Sequence, residues 1–276
     1  MIQPLQKLGI IAGGGELPMR IAQACHGRGQ PYLILAVEEF ALPAPPHLAS
    51  ERIPLSKLGR ALAALRRHGC REIVFAGQFE RPGGRVRFRP DLTAAWFFLR
   101  NVGPFRRGDD SLHRIMAKEF ERAGFRVVSP LDADPTLAAP RDYITRKRAE
   151  AFSEADLRRA LMAAKEHGRT DKGQAVVVRG GEVIAREGKA GTDAMLAELA
   201  KQGNRGGVLA KAMKPQQIRD VDPPAIGVKT IASASAAGLD GIVVEAGATV
   251  VVDIDDVIAA ADEAGLFVCG MEAAVA

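Results

Sequence analysis

Several short segments of this chain hold residue types that do chemistry on anions. Gly13-Gly14-Gly15-Glu16-Leu17 closes one apolar run and opens an amphipathic one. Glycines there let the backbone approach a ligand closely, and the start of a helix offers free N–H groups to an anion. The pattern is neither GxGxxG nor GxxxxGK(S/T), so the dinucleotide and P-loop fingerprints are absent. Glu16 would sit close to a bound phosphate, which favours contact with a sugar, a base or a metal. Gly77-Gln78 closes another apolar run, and Gln78 can hydrogen-bond a nucleobase or a sugar hydroxyl. Asp109-Asp110 follows Gly108 at the start of a helical stretch. Capping explains one carboxylate there, and the other is left to orient Mg²⁺ or an arginine. Gly191-Thr192-Asp193 also starts a helix, either as a cap or as a hydroxyl and backbone amides presented to a phosphate. Lys211 and Lys214 flank a strand end, either as a solvated pair or as cations that neutralise a diphosphate. Asp220 and Asp222 stand two apart before Pro223-Pro224, a stiff loop suited to a hard cation held by oxygen ligands.

Other chemistries are excluded. The three cysteines, Cys25, Cys70 and Cys269, are odd in number and far apart. They form neither a disulfide framework nor a thiolate metal site, which fits a reducing cytoplasm. There is no HExxH, the five histidines are scattered, and GxSxG is absent, so zinc-protease and acyl-serine chemistry are not expected. No apolar run approaches the ~18 residues of a membrane span, and the first residues lack the pattern of an export signal. The net charge of +5 is unevenly spread. Residues 81–107 hold seven arginines against one acid, Asp91, a local +6. That favours an anionic partner or, more simply, a solvated basic face. A pI of about 9.3 suggests nucleic acid, but no helix-turn-helix, OB or RRM signature supports it, so no nucleic-acid partner is expected.

The elements that must position these residues are α/β. Apolar runs at 7–13, 31–38 and 71–77 alternate with amphipathic stretches at 16–29 and 58–70. Two further helices, 91–102 and 108–124, precede a strand at 125–130. Strands separated by helices imply parallel pairing with right-handed crossovers, a Rossmann-like doubly wound sheet. The segment 129–149 has three prolines and no apolar periodicity, and reads as a linker. The expected division is a first domain at 1–134 and a second at 135–276. In the second half Ser153 and Asp156 form a capping box before a helix. Residues 174–187 read as a hairpin turning at Arg179-Gly180-Gly181. A helix at 191–203, a strand at 206–214, a helix at 228–238, strands within 240–252 and a helix at 253–265 complete a mixed α/β domain.

Eight motifs along nearly the whole chain resemble the LpxI family of UDP-2,3-diacylglucosamine pyrophosphatases, enzymes of lipid A biosynthesis. They are LGIIAGGGELP, EIVFAGQ, GPFRRGDDSL, AGTDAML, GVLAKAMKPQQ, DPPAIGVKTI, GLDGIVVEAG and AGLFVCG, in the family's order. The resemblance implies two α/β domains joined by a linker, with the nucleotide-lipid held between them. It implies Mg²⁺-dependent hydrolysis of UDP-2,3-diacylglucosamine to UMP and 2,3-diacylglucosamine 1-phosphate (lipid X), with water attacking the sugar-linked phosphorus. The family loop tends to read K-P-x-Q-D-x-R-x-D-x-P, whereas here Gln217 is followed by Ile218-Arg219-Asp220-Val221-Asp222. The first acid is therefore missing from its place. Ala225 stands where a metal-binding or water-activating carboxylate is credible, and is suspected of replacing an acid.

On this reading Asp222 is the essential acid and, with Asp220, the Mg²⁺ ligand, while Lys211 and Lys214 supply catalytic cations. Gly13, Gly14, Gly15, Glu16, Leu17, Gly77, Gln78, Asp109, Asp110, Gly191, Thr192 and Asp193 bind substrate. Trp96-Phe97-Phe98-Leu99 forms either an apolar trough for the acyl chains or a buried helix face. A cytoplasmic enzyme with transient contact to the inner-membrane surface is expected. The alternative is a non-catalytic carrier of a sugar nucleotide or lipid phosphate.

Overall fold

The computed structural model describes residues 5–41, 43–79, 89–107, 112–170, 172–203, 205–214 and 223–273. The chain forms two compact units, the first ending at Pro135 and the second beginning at Thr136.

In the first unit the chain runs β1 (Leu8–Ala12), α1 (Leu17–Gly27), β2 (Tyr32–Val37), β3 (Ser50–Ile53), α2 (Leu58–Arg67) and β4 (Glu72–Ala76). It continues through α3 (Leu92–Arg107), α4 (Leu112–Arg122), β5 (Arg126–Val128) and a short α5 (Pro130–Ala133). The five strands are parallel, in the order β3-β2-β1-β4-β5. LGIIA, YLILAV and EIVFA are almost unbroken apolar runs because helices cover both faces of such a sheet. Gly9 on β1 makes room for α2, since a Cβ there would stand 2.5 Å from Leu65 Cδ2. The core also gathers Ile11, Leu35, Ile73, Phe75, Phe97 and Phe120.

Three differences from the sequence reading have physical causes. The edge strand β3 has the sequence SERI, too short and too charged to show a period. The helix expected to end at 102 runs on to Arg107 through Gly103 and Pro104. The quartet at 96–99 is split between faces: Phe97 is buried and Phe98 packs against the core, while Trp96 and Leu99 face solvent.

A 3-10 turn (Pro135–Leu137) leads from the first unit into the second, which contains β6 (Asp142–Tyr143), α6 (Glu154–Arg169), β7 (Ala175–Arg179), β8 (Glu182–Arg186) and α7 (Gly191–Lys201). Then come β9 (Val208–Lys211), β10 (Ala225–Ile226), α8 (Val228–Ala236), β11 (Gly241–Glu245), β12 (Val250–Val251), α9 (Ile254–Glu263) and β13 (Phe267–Met271). The main sheet is mixed, in the order β6-β13-β11-β9-β7-β8. Strands β9, β11 and β13 are parallel, and β7, β8 and β6 pair antiparallel. Alternate residues along the strands face opposite sides. Val208, Ala210 and Val243 meet α6, whereas Leu209, Ile242 and Val244 meet α7, α8 and α9. The β7–β8 hairpin turns on Gly180 (φ 56°) and Gly181 (φ 82°), the double positive φ of a tight primed turn. Ser153 and Asp156 form the capping box of α6.

The proline-rich segment 129–149 carries more structure than its composition suggests. Ser129 caps α5 through a capping box, Ala138 bridges to Val250, and β6 joins the main sheet. Elements of two to four residues are too short to show a period, so only the prolines are visible in sequence.

Candidate functional site

In the first unit the strand order turns back between β1 and β4, because the chain builds β2 and β3 on one side of β1 before crossing to the other. The crevice outside the carboxyl ends of strands at such a switch point is where open α/β sheets bind ligands. The two segments singled out from sequence leave those strands side by side. The Gly14 N–H donates to the Gln78 carbonyl at 2.8 Å, and the Gln78 N–H donates back to the Gly14 carbonyl at 2.8 Å. The Gly13 N–H donates to the Ala76 carbonyl.

The glycines at this crossing are needed for different reasons. A Cβ on Gly13 would stand 2.5 Å from the Gln78 carbonyl oxygen. At Gly77, with φ +91°, it would stand 2.3 Å from the Gly14 carbonyl oxygen. Gly15, with φ +87°, has open space beside it, so only its backbone angle demands glycine. Glu16 is exposed and its side chain makes no cap bond at the start of α1. Its carboxylate is therefore available beside the turn.

In the second unit the end of β9 is the centre of a polar network. Lys211 is only 6% exposed, and its Nζ donates to the Ala225 carbonyl at 2.9 Å. Ala225 is half-buried and pairs with Val250 as β10, so its visible contribution is its backbone. The Met213 N–H donates to Glu245 Oε2 at 2.9 Å, and Glu245 Oε1 holds Lys165 at 2.8 Å. Lys214 packs on the end of α6, where a Cβ on Gly168 would come 3.2 Å from its Cα.

The same strand end is tied to Thr192 through Glu187. The Ala212 N–H donates to the Gln174 carbonyl, and the Gln174 N–H donates to Glu187 Oε2. Thr192 Oγ1 donates to Glu187 Oε1 at 2.9 Å, and His167 Nε2 meets the Glu187 carbonyl oxygen at 2.7 Å. The structure thus links Thr192, Lys211, Lys214 and Ala225 around one strand end. It also corrects the capping reading of the helix at Gly191. The residue preceding α7 is Ala190, with no side-chain cap. Thr192 instead serves Glu187, and Asp193 pairs with Lys229 at 2.7 Å.

A model of the LpxI N-terminal domain matches residues 7–137, and a model of the LpxI C-terminal domain matches residues 140–269. The chain belongs to the LpxI family. The UDP-2,3-diacylglucosamine pyrophosphatase LpxI of Caulobacter vibrioides is similar to it, with 39% identity covering 97% of this chain and 98% of that protein.

Four expected site residues of this LpxI-family chain, Asp109, Asp110, Asp220 and Asp222, lie outside the described residues. Among the described residues no three His, Cys, Asp or Glu side chains converge as metal ligands. Beside the end of β9, Glu187 accepts from the Gln174 N–H and the Thr192 hydroxyl, and Glu245 from the Met213 N–H and Lys165, and neither belongs to such a group. The cysteines of this LpxI relative are all buried and free. Burial pushes the Cys269 thiol up to about 11, so it offers no thiolate near neutral pH. Glu187, Glu245, Lys165 and His167 were not assigned roles from sequence. Glu245 lies within the motif GLDGIVVEAG, and its place at a strand end was the available signal.

Proposed function

We propose that this LpxI-family protein hydrolyses the diphosphate of UDP-2,3-diacylglucosamine, giving UMP and 2,3-diacylglucosamine 1-phosphate (lipid X). The observation that carries the reading is that both units match the family, and that a relative similar from end to end is named for this activity. Cleavage of a phosphoanhydride needs charge neutralisation, a placed water and a held leaving group, with little covalent work from the protein. The two clusters suit that division. The turn at Gly13 and Gln78 holds the uridine or glucosamine part, and the lysines at the end of β9 meet the diphosphate. The substrate in this account engages groups from both units.

Lys211 acts from a buried position. Its bond to the Ala225 carbonyl ties β10 to the end of β9, and its charge raises the local potential. Lys214, half-buried against α6, is the cation next in sequence to residues 215–222. Asp222, with Asp220, is assigned as the ligand pair for Mg²⁺ on the spacing of the two acids before Pro223-Pro224. When bound, the ion would neutralise phosphate oxygens and lower the pKa of a water.

The test is to incubate the purified protein with UDP-2,3-diacylglucosamine in detergent, with Mg²⁺ or with EDTA, and to quantify UMP and the acyl-sugar phosphate. Both products are expected in equal amounts with Mg²⁺, and neither with EDTA or in Asp222→Asn. Binding of the sugar nucleotide without product in any condition would instead establish a carrier.

A further inference from the structure

Three of the exposed large hydrophobic side chains among the described residues stand on one helix, α3. They are Leu92 at 91% exposure, Trp96 at 58% and Leu99 at 68%. Their spacing of four and then three residues places them in one stripe along the helix. The opposite side of α3 is anchored, with Ala94 and Phe97 almost wholly buried in the core of the first unit. The helix is therefore held by one apolar face while it presents a second to water. An apolar stripe so exposed on a folded unit marks an interaction surface.

The charge around the stripe identifies the partner. Arg89 is exposed just before α3 and Arg100 is exposed on it, the latter 3.8 Å from Glu119 of α4, and none of the sixteen residues of α3 is an acid. The one acid of residues 81–107 is Asp91, and its carboxylate is already spent. Oδ1 accepts the Ala94 N–H at 2.8 Å and Oδ2 accepts the Arg60 N–H at 3.2 Å, so it caps α3 and ties it to α2. Apolar residues flanked by arginine suit the headgroup boundary of an anionic bilayer, with the amphipathic indole at the interface. A second copy of this chain is a poor match, because an isologous contact would set Arg89 and Arg100 beside one stripe against the same arginines of the other. Among the described residues no helix is long and apolar enough to cross a membrane.

We propose that the outward face of α3, centred on Leu92, Trp96 and Leu99, is a docking surface for an anionic lipid bilayer. The proposal deepens the reading of a diacylated substrate, because that face would hold the enzyme where such a lipid resides. The contact itself is measured without substrate. Trp96 is the only tryptophan in the chain, so its emission reports on this face alone.

The full-length protein is titrated with vesicles of phosphatidylglycerol and phosphatidylcholine, and with vesicles of phosphatidylcholine alone, each with and without brominated acyl chains. Expected are a blue shift and bromine quenching of Trp96 with the anionic vesicles only, weakened by salt. Leu92→Glu should weaken co-sedimentation by about tenfold, leaving UMP release from detergent-dispersed substrate unchanged. Absence of vesicle binding overturns the proposal, as does binding that leaves Trp96 unquenched. A blue shift that depends on protein concentration without lipid, with dimers in sedimentation equilibrium, also overturns it in favour of a second copy. Failure of the wild-type protein to release UMP in detergent is a separate outcome that counts against the hydrolase reading alone.

Discussion

Glu245 shows how much a single side chain can organise. One of its oxygens holds the Met213 N–H where the chain leaves β9, and the other holds Lys165 of α6. Its loss would free Met213 at the end of β9 and leave Lys165 without its counter-ion. A hydrogen bond to a charged acceptor contributes about 1.5–3 kcal/mol, or about 10- to 100-fold in an equilibrium or rate. Glu245→Ala is therefore expected to lower kcat by that order, with a smaller change in KM, while Glu245→Gln keeps the acceptor and recovers much of the rate. Steady-state UMP release checks it, and equal kcat in all three proteins would remove Glu245 from the account. The motif GLDGIVVEAG contains this residue but does not report its role. Its partner Met213 lies 32 positions away, and no local pattern reports a contact of that separation. Glycines are legible for the opposite reason. Gly13, Gly77 and Gly191 stand at predicted strand or helix ends, where the residue type itself reports an unusual backbone or a close approach.

Strands and helices were legible wherever they were long enough to repeat. β1, β2 and β4 are runs of five or six mostly apolar residues, and α6 announces itself by its capping box. β3, β6 and β10 have four residues or fewer and show no period. The faces of α3 were hidden because Trp96, Phe97, Phe98 and Leu99 are consecutive, and four neighbours span the whole helix circumference. The crossing of the turns after β1 and β4 was also invisible, since the sequence gives each strand but not which strands are adjacent. A methyl group tests that crossing. Gly77→Ala forces a side chain into φ +91° and against the Gly14 carbonyl. A loss of about 1–3 kcal/mol in denaturant unfolding is expected, together with reduced UMP release. Gly15→Ala, with the same sign of φ but open space, should lose less stability. Equal losses would mean that the two turns do not press on each other.

Across the whole molecule, the proposed function divides into a uridine or sugar grip in the first unit and diphosphate chemistry in the second. It requires neither a thiolate nor a covalent intermediate on the protein. Water must then enter one product directly, and we propose that it attacks the phosphorus attached to the sugar. Running the reaction in ¹⁸O-labelled water and weighing both products by mass spectrometry measures this most directly. The account predicts one labelled oxygen in the acylated glucosamine 1-phosphate and none in UMP. Label in UMP would contradict the direction of attack, and the absence of both products would contradict the hydrolysis itself.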